Sequence, residues 1–367
     1  MRVAVVGAGN GGCAVAADMA YRGIDVTLVK TSNAMHDDNF NYLIKNGGKM
    51  TLIDFGDNGC MNPEDMEKVE KVGILSEVTR DLSIISKMDV IIIYIQTNYH
   101  ENLIKRMAEY ICDGQIVLIN PGYFSTAYML KYCGNKEITI VEAQSSFIDG
   151  RIIEPGKFRV GFRNVRNPLG VYPSRNLPLA KEKLDTLGFP FYYMKNVVGA
   201  ALHNPNLIVH TVGSVMSIPM IDAMGKDFCM YHYSFTEHVW KILEELDNEK
   251  MNILERMGYD RISYVEACKF RNSLDDSQDA KKVFFDYAAM PTRAKAPTKV
   301  DSRYISEDVP QGLVMLEALG KSMNISTPIC TSLIEIASAA LGRNLRAEGR
   351  TPERLGEENI KKILSDC

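Results

Sequence analysis

The first thirty residues restrict the fold more than any other stretch. "RVAVVG" (2–7) is a short β-branched run, "CAVAADMAYRG" (13–23) has apolar residues at helical spacing and closes on Gly23, and "IDVTLVK" (24–30) returns as a strand. Between the first strand and the helix lies "GAGNGG" (7–12), which fits GxGxxG with Gly7, Gly9 and Gly12 and contains Asn10. Each glycine has its own reason: Gly7 permits the tight turn, Gly9 lets the backbone approach a pyrophosphate, and Gly12 lets helix and strand pack closely. The phosphates are expected on the helix N-terminus, where unpaired N–H groups and the helix dipole favour anions. A glycine motif alone is weak, but here it follows a strand, opens a helix and precedes a second strand at the right distance. The expectation is a dinucleotide-binding βαβ unit.

The end of the second strand bears on the cofactor. NAD enzymes commonly place a carboxylate there for the ribose 2′-OH. This chain has Lys30, Thr31 and Ser32, and a cation with two hydroxyls suits a 2′-phosphate. NADP(H) is therefore favoured over NAD(H), with Asp37 or Asp38 as the carboxylates for the opposite choice. Further on, "DVIIIYI" (89–95) and "QIVLIN" (115–120) read as buried strands. Ligands in open α/β sheets lie beyond the carboxyl ends of the strands, so Gln96, Thr97, Asn120 and Gly122 are expected along the cofactor groove. "ITIVEAQSS" (138–146) reads as one more strand and brings Glu142 and Ser145 to the same edge.

A chain of 367 residues is long enough for two domains. With 24% charged residues and a net charge of −4, a nucleic-acid-binding face is not expected. No apolar run reaches the ~18–20 residues of a membrane span, and the strand-like run "VAVVGAG" beginning at residue 3 argues against a signal peptide. Eight scattered cysteines (13, 60, 112, 133, 229, 268, 330 and 367), with no CxxC pair, read as reduced thiols of a cytoplasmic protein and give no metal-ligand spacing.

From about residue 196 helix-length segments dominate, at 205–222, 230–257, 261–270, 309–323 and 329–342. Irregular stretches at 288–308, with Pro291 and Pro297, and at 346–356 interrupt them. The expected architecture is α/β: a dinucleotide-binding domain over 1–195 with a parallel sheet of Rossmann type, then an all-α catalytic domain over 196–367. In "HNPNLIVH" (203–210), Asn204 suits an N-cap and Pro205 the first helical position. Asn206 and His210, four apart, then share a face. His203 and His210 are separated by roughly 10 Å along a helix axis and so do not share a metal ion. His210 reads either as a core histidine or as a proton carrier, and Asp308 either as its orienting carboxylate or as an acidic helix start.

The chain resembles the opine dehydrogenases, the group that includes octopine, nopaline and N-(1-D-carboxyethyl)-L-norvaline dehydrogenases. The resemblance rests on "VVGAGNGGCAVAADMAYRG" at the N-terminus, on "HNPNLIVH", and most specifically on "SRYISEDVPQGLVMLEALGKSMNISTP" followed by "EGRTPERLG". It implies a Rossmann domain, an all-helical catalytic domain and an active site between them. The implied reaction is NAD(P)H-dependent reductive condensation of an amino acid with a 2-keto acid. It also implies His210 rather than His203 as the catalytic histidine, Asp308 as its partner, Asn206 on the same helix face, and Arg303 on a substrate carboxylate. Tyr231 and Glu237 face the cleft in the resemblance, and a homodimer is implied. The rival readings are a two-domain reductase of a 2-keto or 2-hydroxy acid with no amine partner, and a dinucleotide-sensing module without catalysis.

Overall fold

A computed structural model of the chain describes residues 1–32, 35–54, 68–290 and 293–366; Cys60, Pro291 and Cys367 lie outside the described residues. The chain divides into two compact units: 1–200 with 271–274 and 366–367, and 201–270 with 275–365. The division thus falls at 200/201, against the expected 195/196. Two short pieces of the later chain also return to the first unit. Backbone N–H groups of Val165 and Arg166 donate to the Arg271 carbonyl, and Asp366 accepts from Ser174.

The first unit is built on two sheets. Its strands are β1 (Arg2–Val6), β2 (Asp25–Val29), β3 (Lys49–Asp54), β4 (Val69–Ile74), β5 (Glu77–Thr79), β6 (Val90–Ile93), β7 (Ile116–Ile119), β8 (Thr139–Ala143), β9 (Ile148–Glu154), β10 (Lys157–Arg163), β11 (Asn167–Tyr172) and β12 (Phe191–Tyr193). The larger sheet runs β12-β11-β8-β7-β6-β1-β2-β5, parallel except where β11 meets β8. After β1 the chain builds outward through β2 and β5, then crosses back to β6 and builds the other way. The carboxyl ends of β1 and β6 therefore flank the point where strand order reverses, the place where such sheets bind ligands. β6 and β7 are buried along their whole length, as continuous apolar runs covered on both faces must be.

The second sheet, β4-β3-β10-β9, was not legible from periodicity. It packs on the helix Asn10–Tyr21, in which Gly12 to Ala20 are all buried. That helix lies between two sheets, so it carries no polar stripe. Close approach depends on glycines in the covering sheet: a Cβ on Gly150 would stand 2.3 Å from Ala14 Cβ, and one on Gly73 2.6 Å from Tyr21 N. The helix's one buried charge, Asp18, is paired with Arg163 Nη2 at 2.7 Å, and the same nitrogen reaches Asp54 Oδ2 at 2.6 Å. Burial opposes the charged form of Asp54, but the hydrogen bonds of Arg163 and Lys71 outweigh it and hold the carboxyl below its usual range.

The second unit is helical and centres on Asn206–Val215, which is buried from Leu207 to Val215. Around it pack Glu237–Arg256, Pro328–Leu341, the short helix Arg303–Ser306 and a π-helical turn Val309–Leu313. Three expected helices are broken. The segment 205–222 ends at Val215 and resumes at Ile218, where Pro219 cannot donate to the preceding turn. The segment 230–257 splits into Met230–Tyr233 and Glu237–Arg256, and 309–323 begins as the π turn before Val314–Ser322. Conversely, 346–356, expected to be irregular, holds the end of the short helix Leu345–Glu348 and all of Pro352–Leu355.

No single described helix is long and apolar enough to cross a membrane. Cys13, Cys112, Cys133, Cys229, Cys268 and Cys330 are free thiols, and burial pushes Cys13 up to about 12 and Cys133 up to about 11.

Candidate active site

The glycine loop of the first unit behaves as three different constraints. Gly7 has φ +132°, and a Cβ there would lie 2.2 Å from the Tyr94 carbonyl oxygen. A Cβ on Gly12 would lie 1.9 Å from the Gly7 carbonyl oxygen. Gly9, by contrast, faces open space, with nothing within 4 Å of a Cβ built on it. The turn and the helix contact leave no room at Gly7 and Gly12, while Gly9 leaves room for something outside the chain. It directly precedes the helix Asn10–Tyr21, whose first N–H groups lack intrahelical partners. Asn10 turns its side chain to the second sheet, where Oδ1 accepts the Ile152 N–H at 2.9 Å.

Asn120, at the carboxyl end of β7, is fully buried, and neither its Nδ2 nor its Oδ1 has a partner among the described residues. An unsatisfied buried amide costs ~1–3 kcal/mol, and a bound polar group with both donor and acceptor would recover that. The open Gly9 and the unpaired Asn120 amide both fit a dinucleotide. Gln96 is exposed, at the start of the short 3₁₀ turn Thr97–Tyr99. The turn after Asn120 is strained. Tyr123 and Phe124 both have left-handed backbones, φ 48° and 66°, where bulky residues are rare.

Glu142 holds that turn in place. One carboxylate oxygen accepts the Phe124 N–H at 2.8 Å, and the other accepts Thr126 N–H and Oγ1–H, each at 2.7 Å. His100 Nδ1 pairs with Ser125 Oγ at 2.8 Å from the other side. Glu142 was expected at this edge of the sheet; its partners were not readable. Glu142→Gln is expected to destabilise the chain by ~1–3 kcal/mol, since an amide offers one acceptor where the carboxylate meets three donors. That corresponds to a fall of ~2–12 °C in Tm. Thermal unfolding checks it, and an unchanged Tm would show that the clamp carries no load. Ser145 Oγ accepts from Arg271 Nη1 at 3.1 Å.

Around the end of β2, Lys30 is buried and Thr31 half-buried. Lys30 Nζ donates to the Met35 carbonyl at 2.5 Å and stands 3.4 Å from Asp37 Oδ1. Arg80, which follows β5, reaches the same carboxylate at 2.8 Å, donates to the Ser32 carbonyl, and stacks 4.7 Å over the Phe40 ring. Sequence reading missed Arg80, because only the β2–β5 pairing brings residue 80 beside residue 30. Both cations bind Asp37, whose carboxyl they hold below its usual range, with the Arg80 hydrogen bond the main cause.

In the helical unit the central pair is His210 and Asp308. His210 Nδ1 donates to Asp308 Oδ2 at 2.8 Å, and the aspartate is 1% exposed. That bond fixes the tautomer and leaves Nε2 as the nitrogen able to accept or release a proton. Tyr304 lies flat against the imidazole, centroids 3.8 Å apart and planes 5° apart, so the ring is held on its face as well as at its edge. The helix of His210 starts one residue later than expected, at Asn206, and Asn204 Oδ1 accepts the Asn206 N–H at 3.0 Å. Asn206 is half-buried one turn before His210. His203 is separate: buried near Lys250, it is held neutral, its pKa lowered well below the ordinary value mainly by burial.

Asp308 is positioned by a segment far along the chain. In the π turn that follows it, the Pro310 carbonyl accepts the Arg350 N–H at 3.0 Å, and Gln311 Oε1 accepts from Arg350 Nε at 2.9 Å. Gly349 makes this docking possible, since a Cβ there would lie 2.4 Å from the Pro310 carbonyl oxygen. The two C-terminal motifs, "SEDVPQG" and "EGR", are one structural object.

Arg303 opens the short helix before Asp308. Its guanidinium is half-exposed, with Nε 3.4 Å from the buried Glu307. Tyr231 packs on Tyr287 edge to face at 5.4 Å, and the Arg293 guanidinium stands 4.4 Å from its centroid. Glu237 is exposed at the start of its helix and pairs with Lys241 at 2.9 Å, with no contact to the His210 group among the described residues. Among the described residues no group of His, Cys, Asp and Glu side chains is arranged to hold a metal ion.

Both halves of this layout match known protein families. Residues 193–341 match the family model of the NAD/NADP octopine/nopaline dehydrogenase α-helical domain, and residues 3–160 that of the ketopantoate reductase PanE/ApbA. An opine dehydrogenase of Arthrobacter sp. (strain 1C) is 26% identical, with 96% of this chain aligned to 94% of that protein. The chain is similar to the opine dehydrogenases along almost its whole length. It is an NAD(P)-dependent oxidoreductase.

Solved structures agree on the fold. An octopine dehydrogenase in complex with NADH and agmatine superposes with a TM-score of 0.78 at 17% identity, covering 100% of this chain and 98% of that one. A yersinopine dehydrogenase with NADP⁺ bound gives 0.71 at 12% identity, covering 100% and 98%. The Rossmann-type sheet and the helical second half expected from the sequence are both present.

Proposed function

We propose that the chain condenses the amine of an amino acid with a 2-keto acid and reduces the resulting imine, with His210 as the proton carrier. The observation that carries this reading is the buried His210–Asp308 pair with Tyr304 stacked on the imidazole. Amine and ketone lose water to form the imine. Bound NAD(P)H supplies a hydride to the imine carbon, and the nitrogen keeps a proton, giving a secondary amine with two carboxylates. His210 Nε2 exchanges the protons that leave oxygen and reach nitrogen, and Asp308 stabilises the imidazolium formed along the way. Arg303 takes a substrate carboxylate with its planar fork. Asn206, one turn from His210, and Tyr231 complete the proposed substrate contacts. The proposed cofactor set is Gly7, Gly9, Asn10, Gly12, Lys30, Thr31, Gln96 and Asn120.

Initial rates with paired keto acids and amino acids, with NADH and NADPH, test the proposal. Oxidation of cofactor with the keto acid alone at the paired rate would make the chain a simple keto-acid reductase. Binding without turnover of any pair would make it a sensor.

NADP(H) is the proposed cofactor. Lys30 and Arg80 bring two cations to the end of β2 against the single carboxylate of Asp37. A 2′-phosphate replaces that carboxylate in a charge-assisted pair with Arg80. Arg80→Gln is expected to raise the KM for NADPH about tenfold and that for NADH less than about twofold. Equal effects on both cofactors would remove the preference. A cytoplasmic location belongs to the same reading, supported by the six free thiols among the described residues, and a homodimer is proposed on the family resemblance alone. A monomer mass by light scattering would contradict it.

A further inference from the structure

Arg293 lies in the irregular stretch between the helix Ala280–Ala288 and Arg303–Ser306. Its guanidinium stands 3.8 Å from the Tyr287 centroid and 4.4 Å from that of Tyr231, in the corner formed by the two rings, which meet at 89°. Its Nε is buried and has no hydrogen-bond partner among the described residues, and no described carboxylate pairs with it. Three other arginines of this unit are paired with carboxylates: Arg303 meets Glu307, Arg346 meets Glu317 and Glu335, and Arg261 meets Glu255. A half-buried cation held only by ring faces keeps its fork available, and cation–π contact offsets part of its lost hydration. The corner is also close to the reacting group. Burial raises the pKa of the Tyr304 hydroxyl, the charges of Arg303 and Arg293 oppose that rise, and Tyr304 is the ring stacked on His210.

The proposed product carries two carboxylates, and Arg303 accounts for one. We propose that Arg293, held between Tyr231 and Tyr287, binds the carboxylate of the amino-acid substrate bidentately. This rests on the opine reading above. It makes the Arg293 corner the element that distinguishes an amino acid from a simple amine.

The test uses the full chain with NADPH, pyruvate and three amine pairs: L-alanine against ethylamine, L-arginine against agmatine, and L-norvaline against butylamine. The wild type is expected to prefer the amino acid in the pair it turns over best. Arg293→Gln is expected to raise the amino-acid KM ~10–100-fold and to cut the preference over the amine by the same factor. The pyruvate and NADPH KM values should stay within about twofold. Arg293→Lys, which keeps the charge and loses the fork, should recover part of the loss and serves as the readout if the glutamine variant does not fold. An unchanged amino-acid KM in both variants, or a rise in the pyruvate KM instead, overturns the assignment and leaves the opine reading intact. No turnover of any pair by the wild type overturns both.

Discussion

His210→Asn is expected to lower kcat ~10²–10⁴-fold while leaving the KM for NADPH within about twofold. The asparagine keeps a polar group of similar size beside Asp308, so the helix Asn206–Val215 has no reason to shift. What disappears is the second ring nitrogen. In the wild type the Asp308 carboxylate accepts the Nδ1 proton at 2.8 Å, and Nε2 is left to exchange protons with the substrate. Asp308→Asn probes the same unit from the other side. An amide there can offer its own N–H to Nδ1, which moves the ring proton to Nε2 and removes the base. Both variants should fail in single-turnover oxidation of NADPH with pyruvate and an amino acid, and the double variant should be little worse than either. An unchanged rate in His210→Asn would take the histidine out of the mechanism.

The second large effect belongs to the glycine loop. Gly12→Ala puts a Cβ 1.9 Å from the Gly7 carbonyl oxygen, a backbone atom that cannot rotate aside. Gly7 cannot yield, because its own φ of +132° is already set against the Tyr94 carbonyl. Overpacking of this kind costs ~1–3 kcal/mol or more. A Tm loss of ~2–12 °C and NADPH binding weakened ~100-fold are expected. Gly9→Ala is the contrast. Its Cβ meets nothing in the chain, so Tm should hold while NADPH affinity falls ~10-fold, because the methyl enters space a pyrophosphate needs. Thermal unfolding and NADPH titration separate the two. A Gly12→Ala protein with wild-type Tm and affinity would refute the close packing assigned to that position.

The division between readable and unreadable residues follows the range of the interactions. Gly7, Gly9 and Gly12 were legible because a βαβ turn is made by neighbours in sequence, although the Tyr94 carbonyl that crowds Gly7 was not. The break at Pro219 was a local signal that apolar spacing overrode. Arg80, by contrast, was out of reach: no local pattern states that residue 80 lies beside residue 30. The same holds for Arg163 with Asp18 and Asp54, and for the left-handed Tyr123 and Phe124 held by Glu142.

Local pattern in the sequence was enough to determine the Rossmann-type opening, the buried central strands, the helical second half, and a helix placing Asn206 and His210 on one face. Those depend on periodicity and on backbone freedom, both written residue by residue. Whether His210 was a core histidine or one of a pair was decided only by tertiary structure, which brings a carboxylate from 98 residues away to 2.8 Å. Tertiary structure also stacked Tyr304 on the ring, docked Arg350 on the turn after Asp308, and left the Arg293 guanidinium between two tyrosines with no described carboxylate beside it. Those contacts join segments that no local spacing relates, and burial then determines which polar groups are paired within the chain and which are left to meet a ligand.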